Sequence, residues 1–203
     1  MLSQVRRFVG LWFVALWFGI LHLACGADSN PSAMSQAKSG ETYYTQFSLY
    51  HDHYVHETTG YHRTTLVPIN TPVTFVRLEA TIPGPGHSVM ASYKPEIVVA
   101  LPEGKELHIV NIKKYSGEDL EGIFDRTLSK ETVDLSRFTE LERTNILQGQ
   151  VATGMSQAAV ILALGYPPKH RTLSLSSDQW TYWSSRLISF DVRFRDDKVI
   201  SVY

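Results

Sequence analysis

The stretch GMSQAAVILALGYPP, residues 154–168, is the most informative one for the fold of the C-terminal part of the chain. Ser156 is a residue type favoured at helix N-caps, and the aliphatic residues after it form an apolar stripe. Gly165 suits the left-handed conformation that ends many helices, and the two prolines after it prevent the helix from resuming. These signals predict a short helix between Ser156 and Gly165.

Three strands are predicted after this helix, over Gln179–Ser184, Leu187–Arg195 and Lys198–Tyr203. Apolar and polar residues alternate through Leu187–Phe194, which is typical of a half-buried antiparallel strand. Asp196-Asp197 forms the turn before the last strand. The pattern predicts a three-stranded antiparallel sheet.

Two further helices are predicted upstream. Apolar residues recur at helical spacing from Leu120 to Ser129, after a capping signal at Ser116 and Asp119. A second, looser apolar face runs from a cap at Ser136 to Gly149. The C-terminal half, residues 116–203, is thus predicted to be a helical connector followed by two helices and three strands.

Residues 145–203 resemble the BamE-type domain, also called the SmpA/OmlA domain. The resemblance is carried by a helix ending before Val151, by the 154–168 stretch, by the strand DQWTYW at 178–183, and by a final hairpin over 190–202. It implies a fold of two helices packed on a three-stranded antiparallel sheet. It also implies a non-enzymatic module on envelope lipoproteins, which supports outer-membrane protein assembly through protein contacts.

Residues 43–115 are predicted to be a β-rich domain of four or five short strands, for which an SH3-like barrel is one candidate. Its clearest element is a hairpin of Ile97–Leu101 and Leu107–Ile112 around the turn Pro102–Lys105. The fold class predicted for the whole chain is α+β.

The first 25 residues predict export. Arg6 and Arg7 precede the apolar segment Phe8–Cys25, as in a signal peptide. The stretch LHLACG, residues 21–26, resembles a bacterial lipobox, which would make Cys25 the lipidated first residue of the mature protein. Two alternatives stay open: ordinary cleavage after Ala27, and an uncleaved membrane anchor.

The segment after the signal, residues 26–42, is rich in Ser, Ala, Asn and Gly and predicts a flexible linker. The 203-residue chain has 19 basic and 20 acidic residues, and the balance becomes −3 when the two arginines of residues 1–25 are set aside. A mildly acidic domain argues against nucleic-acid binding. Cys25 is the only cysteine, so no intrachain disulfide and no cysteine-based zinc site is possible.

Two clusters are candidate sites. His51, His53 and His56, with His62 nearby, are ligand-type residues. On a strand, His51 and His53 share one face, which could seat a transition metal such as zinc. The competing interpretation is a solvated edge strand. Trp180, Tyr182, Trp183 and Arg186 are residue types enriched at protein interfaces, unless both faces of their strand are covered.

The sequence therefore predicts a non-enzymatic lipoprotein of the cell envelope, anchored through Cys25 in the outer membrane and facing the periplasm, that binds a protein partner. No cofactor and no catalytic residue is predicted. The alternative function is metal or ligand sensing through the histidine cluster.

Overall fold

A computed structural model describes residues 32–59, 61–62, 65–81 and 94–203, which all belong to one compact unit. Cys25 and the predicted signal segment lie outside these ranges. The described strands are β1 Thr42–Thr45, β2 Leu49–His51, β3 Val55–Glu57, β4 Thr65–Val67, β5 Pro72–Thr81, β6 Lys94–Ala100, β7 Glu106–Val110, β8 Leu128–Ser129, β9 Gln179–Ser185, β10 Ile188–Arg195 and β11 Lys198–Val202. The described helices are α1 Ala33–Gln36, α2 Lys113–Ser116, α3 Leu120–Thr127, α4 Glu140–Gln148 and α5 Gln157–Leu164. The predicted α+β class is confirmed.

The N-terminal half, which in the structure extends through α3 and β8, is built on a six-stranded sheet in the order β3-β7-β6-β5-β1-β8. The predicted hairpin is confirmed as β6 and β7, which pair Ile97 with Ile109. All pairs in the sheet are antiparallel except β3 with β7. One face of this sheet packs against α3, where Ile123 and Phe124 are fully buried, and this contact forms the first hydrophobic core.

The C-terminal half packs α4 and α5 against the sheet β11-β10-β9. The Ser156 hydroxyl accepts a hydrogen bond from the Ala159 amide, so Ser156 is the N-cap of α5. Gly165 ends the helix at a φ of 77° and a ψ of -171°, so its φ is positive as expected but its conformation is not the left-handed helical one that the sequence predicts. Asp196 and Asp197 both have positive φ in the turn between β10 and β11. The predicted helix and its three following strands are confirmed.

The predicted starts of two helices are wrong, because a residue three positions later forms the N-cap in each case. Thr139, not Ser136, caps α4, since its side chain and that of Glu142 form a reciprocal capping box. Ser136 instead donates to the Asp134 carboxylate. Asp119 caps α3, while Ser116 closes the preceding helix α2.

Glu142 joins three elements of the second core. Its side chain is almost fully buried, and its carboxylate accepts from the amides of Thr139 at 3.0 Å and Ser156 at 2.8 Å. Lys198 on β11 lies 3.3 Å from the same carboxylate. Burial alone raises the pKa of Glu142, but the hydrogen bonds from Thr139 and Ser156 outweigh burial and lower it to about 2.

Hydrogen bonds from Ser48 connect the N-terminal half to the C-terminal half. The Ser48 amide donates to the Leu162 carbonyl at 3.0 Å, and its hydroxyl contacts the Ile146 carbonyl at 3.3 Å. Ile69 is buried in the second core although it lies in the N-terminal half. The described part of the segment predicted as a linker contains α1, and its Glu41 carbonyl accepts from the Phe75 amide of β5 at 2.8 Å.

Candidate functional site

Strand β9 places its aromatic side chains in two different environments. Trp180 and Tyr182 are fully buried in the second core, and the Tyr182 hydroxyl donates to the Gly165 carbonyl at 3.1 Å. Both residues are predicted from the sequence as partner contacts, but their side chains are inaccessible in this fold. Of the four residues in that cluster, the structure leaves Trp183 half-buried and Arg186 exposed.

Three separate parts of the chain meet around Trp183. Tyr61 forms a parallel bridge with Trp183, so a segment of the N-terminal half runs beside β9. The His170 ring stacks on the Trp183 ring at a centroid distance of 6.4 Å and an interplanar angle of 19°. The Arg171 guanidinium carbon lies 5.9 Å from the centre of the indole ring. The outer face of β9 is therefore partly covered, and what remains open is a cleft.

This aromatic cleft has a volume of about 350 Å³. It is lined by Thr59, Tyr61, Lys114, Tyr115, His170, Trp183 and Arg186. The His170 ring also contacts the Tyr115 ring at 4.6 Å, which gives the cleft a continuous aromatic wall. A space of this size and lining accommodates one or two side chains or a small organic group.

The aromatic cleft is positively charged. Lys114 and Arg186 line it and Arg171 lies beside it, whereas no described lining residue is a carboxylate. None of these three cations forms a salt bridge with a carboxylate in the described part of the chain. Their charge is therefore available to an anionic ligand.

His170 adds a neutral polar group to the wall. Partial burial lowers the pKa of His170, and the nearby charges of Arg171 and Lys114 lower it further. The imidazole is consequently uncharged at pH 7, with one nitrogen able to donate a hydrogen bond and the other able to accept one.

Two buried donors of the aromatic cleft have no partner within the described residues. They are the Thr59 hydroxyl and the Trp183 indole N–H. Thr59 is 4% exposed, so a missing hydrogen bond at this hydroxyl is costly. Buried donors are commonly satisfied by ordered water or by a bound group when the protein supplies no acceptor, and both of these residues line the same cleft.

A second cavity of about 410 Å³ shares Tyr61 and Arg186 with the aromatic cleft. Its remaining lining residues are Tyr50, Asp52, Val55, Glu57, Ser184 and Ser185. Because two residues line both spaces, the two cavities adjoin along β9. A ligand larger than one side chain can therefore extend from the cationic cleft into a more mixed, partly acidic pocket.

The histidines predicted as metal ligands are not brought together. His51 ends β2, where its Nδ1 accepts from the Tyr54 amide at 3.2 Å, and burial lowers its pKa. His53 lies in the following turn at a φ of +47°, with a side chain that is 94% exposed and paired to Asp52. His56 is buried, and its Nδ1 contacts the Tyr50 carbonyl at 2.7 Å. The strand ends before His53, so the shared face that the metal prediction requires does not form.

His62 has a structural role, because both of its ring nitrogens contact backbone carbonyls. Its Nε2 lies 2.8 Å from the Leu164 carbonyl and its Nδ1 3.2 Å from the Trp183 carbonyl, with the Tyr50 ring 4.6 Å away. Burial lowers the pKa of His62 despite these two carbonyls. His62 thus links the N-terminal half to α5 and β9.

Most of the cleft is not evident from sequence. Thr59, Tyr61, Lys114 and Tyr115 carry no motif, and they lie more than 50 residues from Trp183 along the chain. The basic stretch Lys169–Arg171 is visible in the sequence, but a solvated loop explains it equally well. Only the folded chain places these residues beside β9.

Comparisons with protein-family models, with curated proteins and with solved structures return no match. Among the described helices, none combines the length and the apolar character needed to cross a membrane.

Proposed function

We propose that this protein is an exported lipoprotein of the cell envelope that acts as a non-enzymatic binding module, and that the aromatic cleft holds a segment of its protein partner. The observation that carries the proposal is the composition of the cleft, where cations without a carboxylate partner among the described residues lie beside aromatic rings and beside two donors without a described partner. Aromatic residues and arginine are the types that dominate binding energy at protein interfaces. The partner segment should therefore present an acidic side chain or a terminal carboxylate next to an apolar group.

Charge favours a protein partner over a nucleic acid. The chain after residue 25 has a net charge of −3, so its overall field repels a polyanion. A single carboxylate in a small cationic cleft avoids this repulsion because the favourable charges are within a few ångströms.

We also propose that residues 145–203 form a BamE-like domain and that the protein serves outer-membrane assembly or maintenance. The order of two helices followed by an antiparallel β11-β10-β9 sheet supports this proposal. For residues 43–115, an SH3-like barrel stays a prediction.

Site-specific photo-crosslinking in intact cells tests the binding role. A photoreactive amino acid at Arg186 should give an adduct with a defined partner, whereas the same probe at the exposed Leu173 should not. Lys114→Glu should remove the adduct formed from a probe at Tyr61, because it reverses a charge that lines the cleft. Lys105→Glu is the matched control, since Lys105 is an exposed lysine in the turn between β6 and β7.

Two crosslinking results would contradict the proposed binding site. If the adducts at Arg186 and Leu173 are equally abundant, or if Lys105→Glu weakens the complex as much as Lys114→Glu, the cleft is not the binding site. Thermal melts of each variant establish that the fold is intact.

The anchor is tested separately with Cys25→Ser. The wild-type protein should incorporate labelled fatty acid and sediment with membranes, and the variant should lose the label. Retention in the membrane without label in either form would show that the apolar segment is an uncleaved anchor instead.

A further inference from the structure

Strand pairing in the six-stranded sheet gathers three metal-ligand side chains on one face. Glu79 on β5 lies directly opposite Glu96 on β6. His108 on β7 lies opposite Val98, so it is the diagonal neighbour of Glu96. One ligand atom from each of Glu79, Glu96 and His108 lies within 4.8 Å of the other two. These residues alternate with Ile97 and Ile109 of the first core, so they occupy the opposite face of the sheet.

Glu96 is the residue that requires an explanation. Its side chain is only 10% exposed, and its one partner among the described residues is His108, whose Nδ1 lies 3.5 Å from Oε1, a long distance for a hydrogen bond. It also faces the like charge of Glu79 across the strand pair, and like charges directly opposite one another destabilise a sheet. A buried carboxylate in this position needs a cation.

The two nearby cationic side chains pair with carboxylates other than that of Glu96. Arg77 binds Glu79 at 2.8 Å and Glu106 at 2.9 Å. Lys94 pairs with Glu57 at 3.3 Å. Neither contacts Glu96 within salt-bridge distance in the described part of the chain, so the centre between the three ligand side chains keeps an excess of negative charge.

The geometry between His108 and Glu96 fits shared coordination better than a hydrogen bond. His108 Nδ1 lies 3.5 Å from Glu96 Oε1. Two ligands about 2.1 Å from a tetrahedral zinc ion are separated by about 3.4 Å. On the other side of the ring, Nε2 faces the Glu106 carboxylate at 3.9 Å. A carboxylate behind a ligating histidine orients the ring and strengthens its basicity.

We propose that Glu79, Glu96 and His108 form a binding site for a divalent transition-metal ion of the zinc class. Two carboxylates and one imidazole match the ligand preferences of such ions, and three protein ligands leave one position for water or a further ligand. Arg77 and Glu106 act as positioning residues, since Arg77 holds Glu79 and Glu106 faces the histidine. This site is separate from the aromatic cleft and does not depend on the role proposed for it.

Zinc titration of the purified full-length protein in detergent tests the site, with a chromophoric chelator as competitor. We expect one Zn²⁺ per chain in the wild-type protein. Glu96→Gln and His108→Ala should each weaken zinc binding about 100-fold or more, since even orienting partners outside the ligand sphere account for 10–100-fold. Glu103→Gln and His53→Ala, which change an exposed acid and an exposed histidine elsewhere, should leave the affinity unchanged.

Melting curves of the metal-free variants separate coordination from a purely structural ion pair. Glu96→Gln removes one of two facing charges, so it should melt at the wild-type temperature or above it, and added zinc should no longer raise that temperature. The proposal is overturned if the wild-type protein binds no zinc, or if both ligand variants keep the wild-type affinity. A lower melting temperature with unchanged zinc affinity would show that Glu96 serves only as the ion-pair partner of His108.

Discussion

Lowering the pH from 7 to 5 should destabilise the fold by about 2 kcal/mol through His56 alone. His56 is 7% exposed, and its Nδ1 contacts the Tyr50 carbonyl at 2.7 Å. Burial lowers the pKa of His56 from 6.5 to about 4, and the Tyr50 carbonyl opposes this only in part. The charges of His62, Arg126 and His51 lower the pKa further.

The direction of this pH effect follows from proton binding to His56 in the folded and the unfolded chain. Between pH 6.5 and about 4 the unfolded chain binds a proton at His56 and the folded chain does not. The stability that the neutral His56 contributes is therefore fully present above pH 6.5 and is lost as the pH falls through this window. The full difference between the two pKa values corresponds to about 3 kcal/mol, of which about 2 kcal/mol is lost by pH 5.

Urea unfolding followed by tryptophan fluorescence at pH 7 and pH 5 measures the effect. His56→Gln keeps a donor for the Tyr50 carbonyl but does not titrate, so its stability should depend less on pH by about 2 kcal/mol. His53→Gln, at an exposed histidine, is the matched control and should keep the wild-type dependence. The prediction is wrong if His56→Gln and the wild-type protein lose equal stability between pH 7 and pH 5. It is also refuted if NMR shows the His56 ring titrating near pH 6.5 in the folded protein.

Further predictions concern the second core and its contacts. Glu142→Gln should destabilise the protein by about 2 kcal/mol in urea unfolding, because two buried amides lose their charged acceptor; a change below about 0.5 kcal/mol would contradict this. Gly149→Ala should lower the melting temperature, because φ is +63° and a Cβ would collide with the Tyr50 hydroxyl and with Leu66; adding Tyr50→Phe should not restore the wild-type value, because the strained φ stays and the hydrogen bond from Tyr50 to the Gly149 carbonyl is lost. Trp180→Ala should cost about 3–5 kcal/mol by chemical denaturation. Trp183→Ala should cost much less, since its ring is half-buried, and equal losses would show that both rings are core.

Local sequence signals predicted the elements whose determinants are close together in the chain. The helix α5 follows from a serine cap, an aliphatic run and a glycine stop within about ten residues. The β6–β7 hairpin follows from two apolar runs around a short turn. The sequence pattern predicts a start of α4 three residues too early, because Ser136 and Thr139 are both good capping residues and only the capping box that Thr139 forms with Glu142 selects between them.

Local sequence signals do not predict strand pairing between distant segments of the chain. The parallel pair of β3 with β7 joins His56 to Ile109, and the edge pair of β8 with β1 uses only Leu128 and Ser129. Short strands of this kind carry too few residues to show a period. The histidine cluster shows the same limit, since a metal site on one strand face requires the strand to continue past His51, and the backbone turns at His53 instead.

Residue pattern is sufficient to predict the fold class, the order of the C-terminal helix and strands, and export with Cys25 as the expected lipid attachment point. Those inferences depend on local periodicity, capping and turn chemistry, which are properties of neighbouring residues. The packing of the folded chain is needed to learn which aromatic residues of β9 are core, which cations border Trp183, and which carboxylates face His108. Sites form where segments far apart in sequence pack together, and that packing is set by burial of the two cores, not by any residue of the sites themselves.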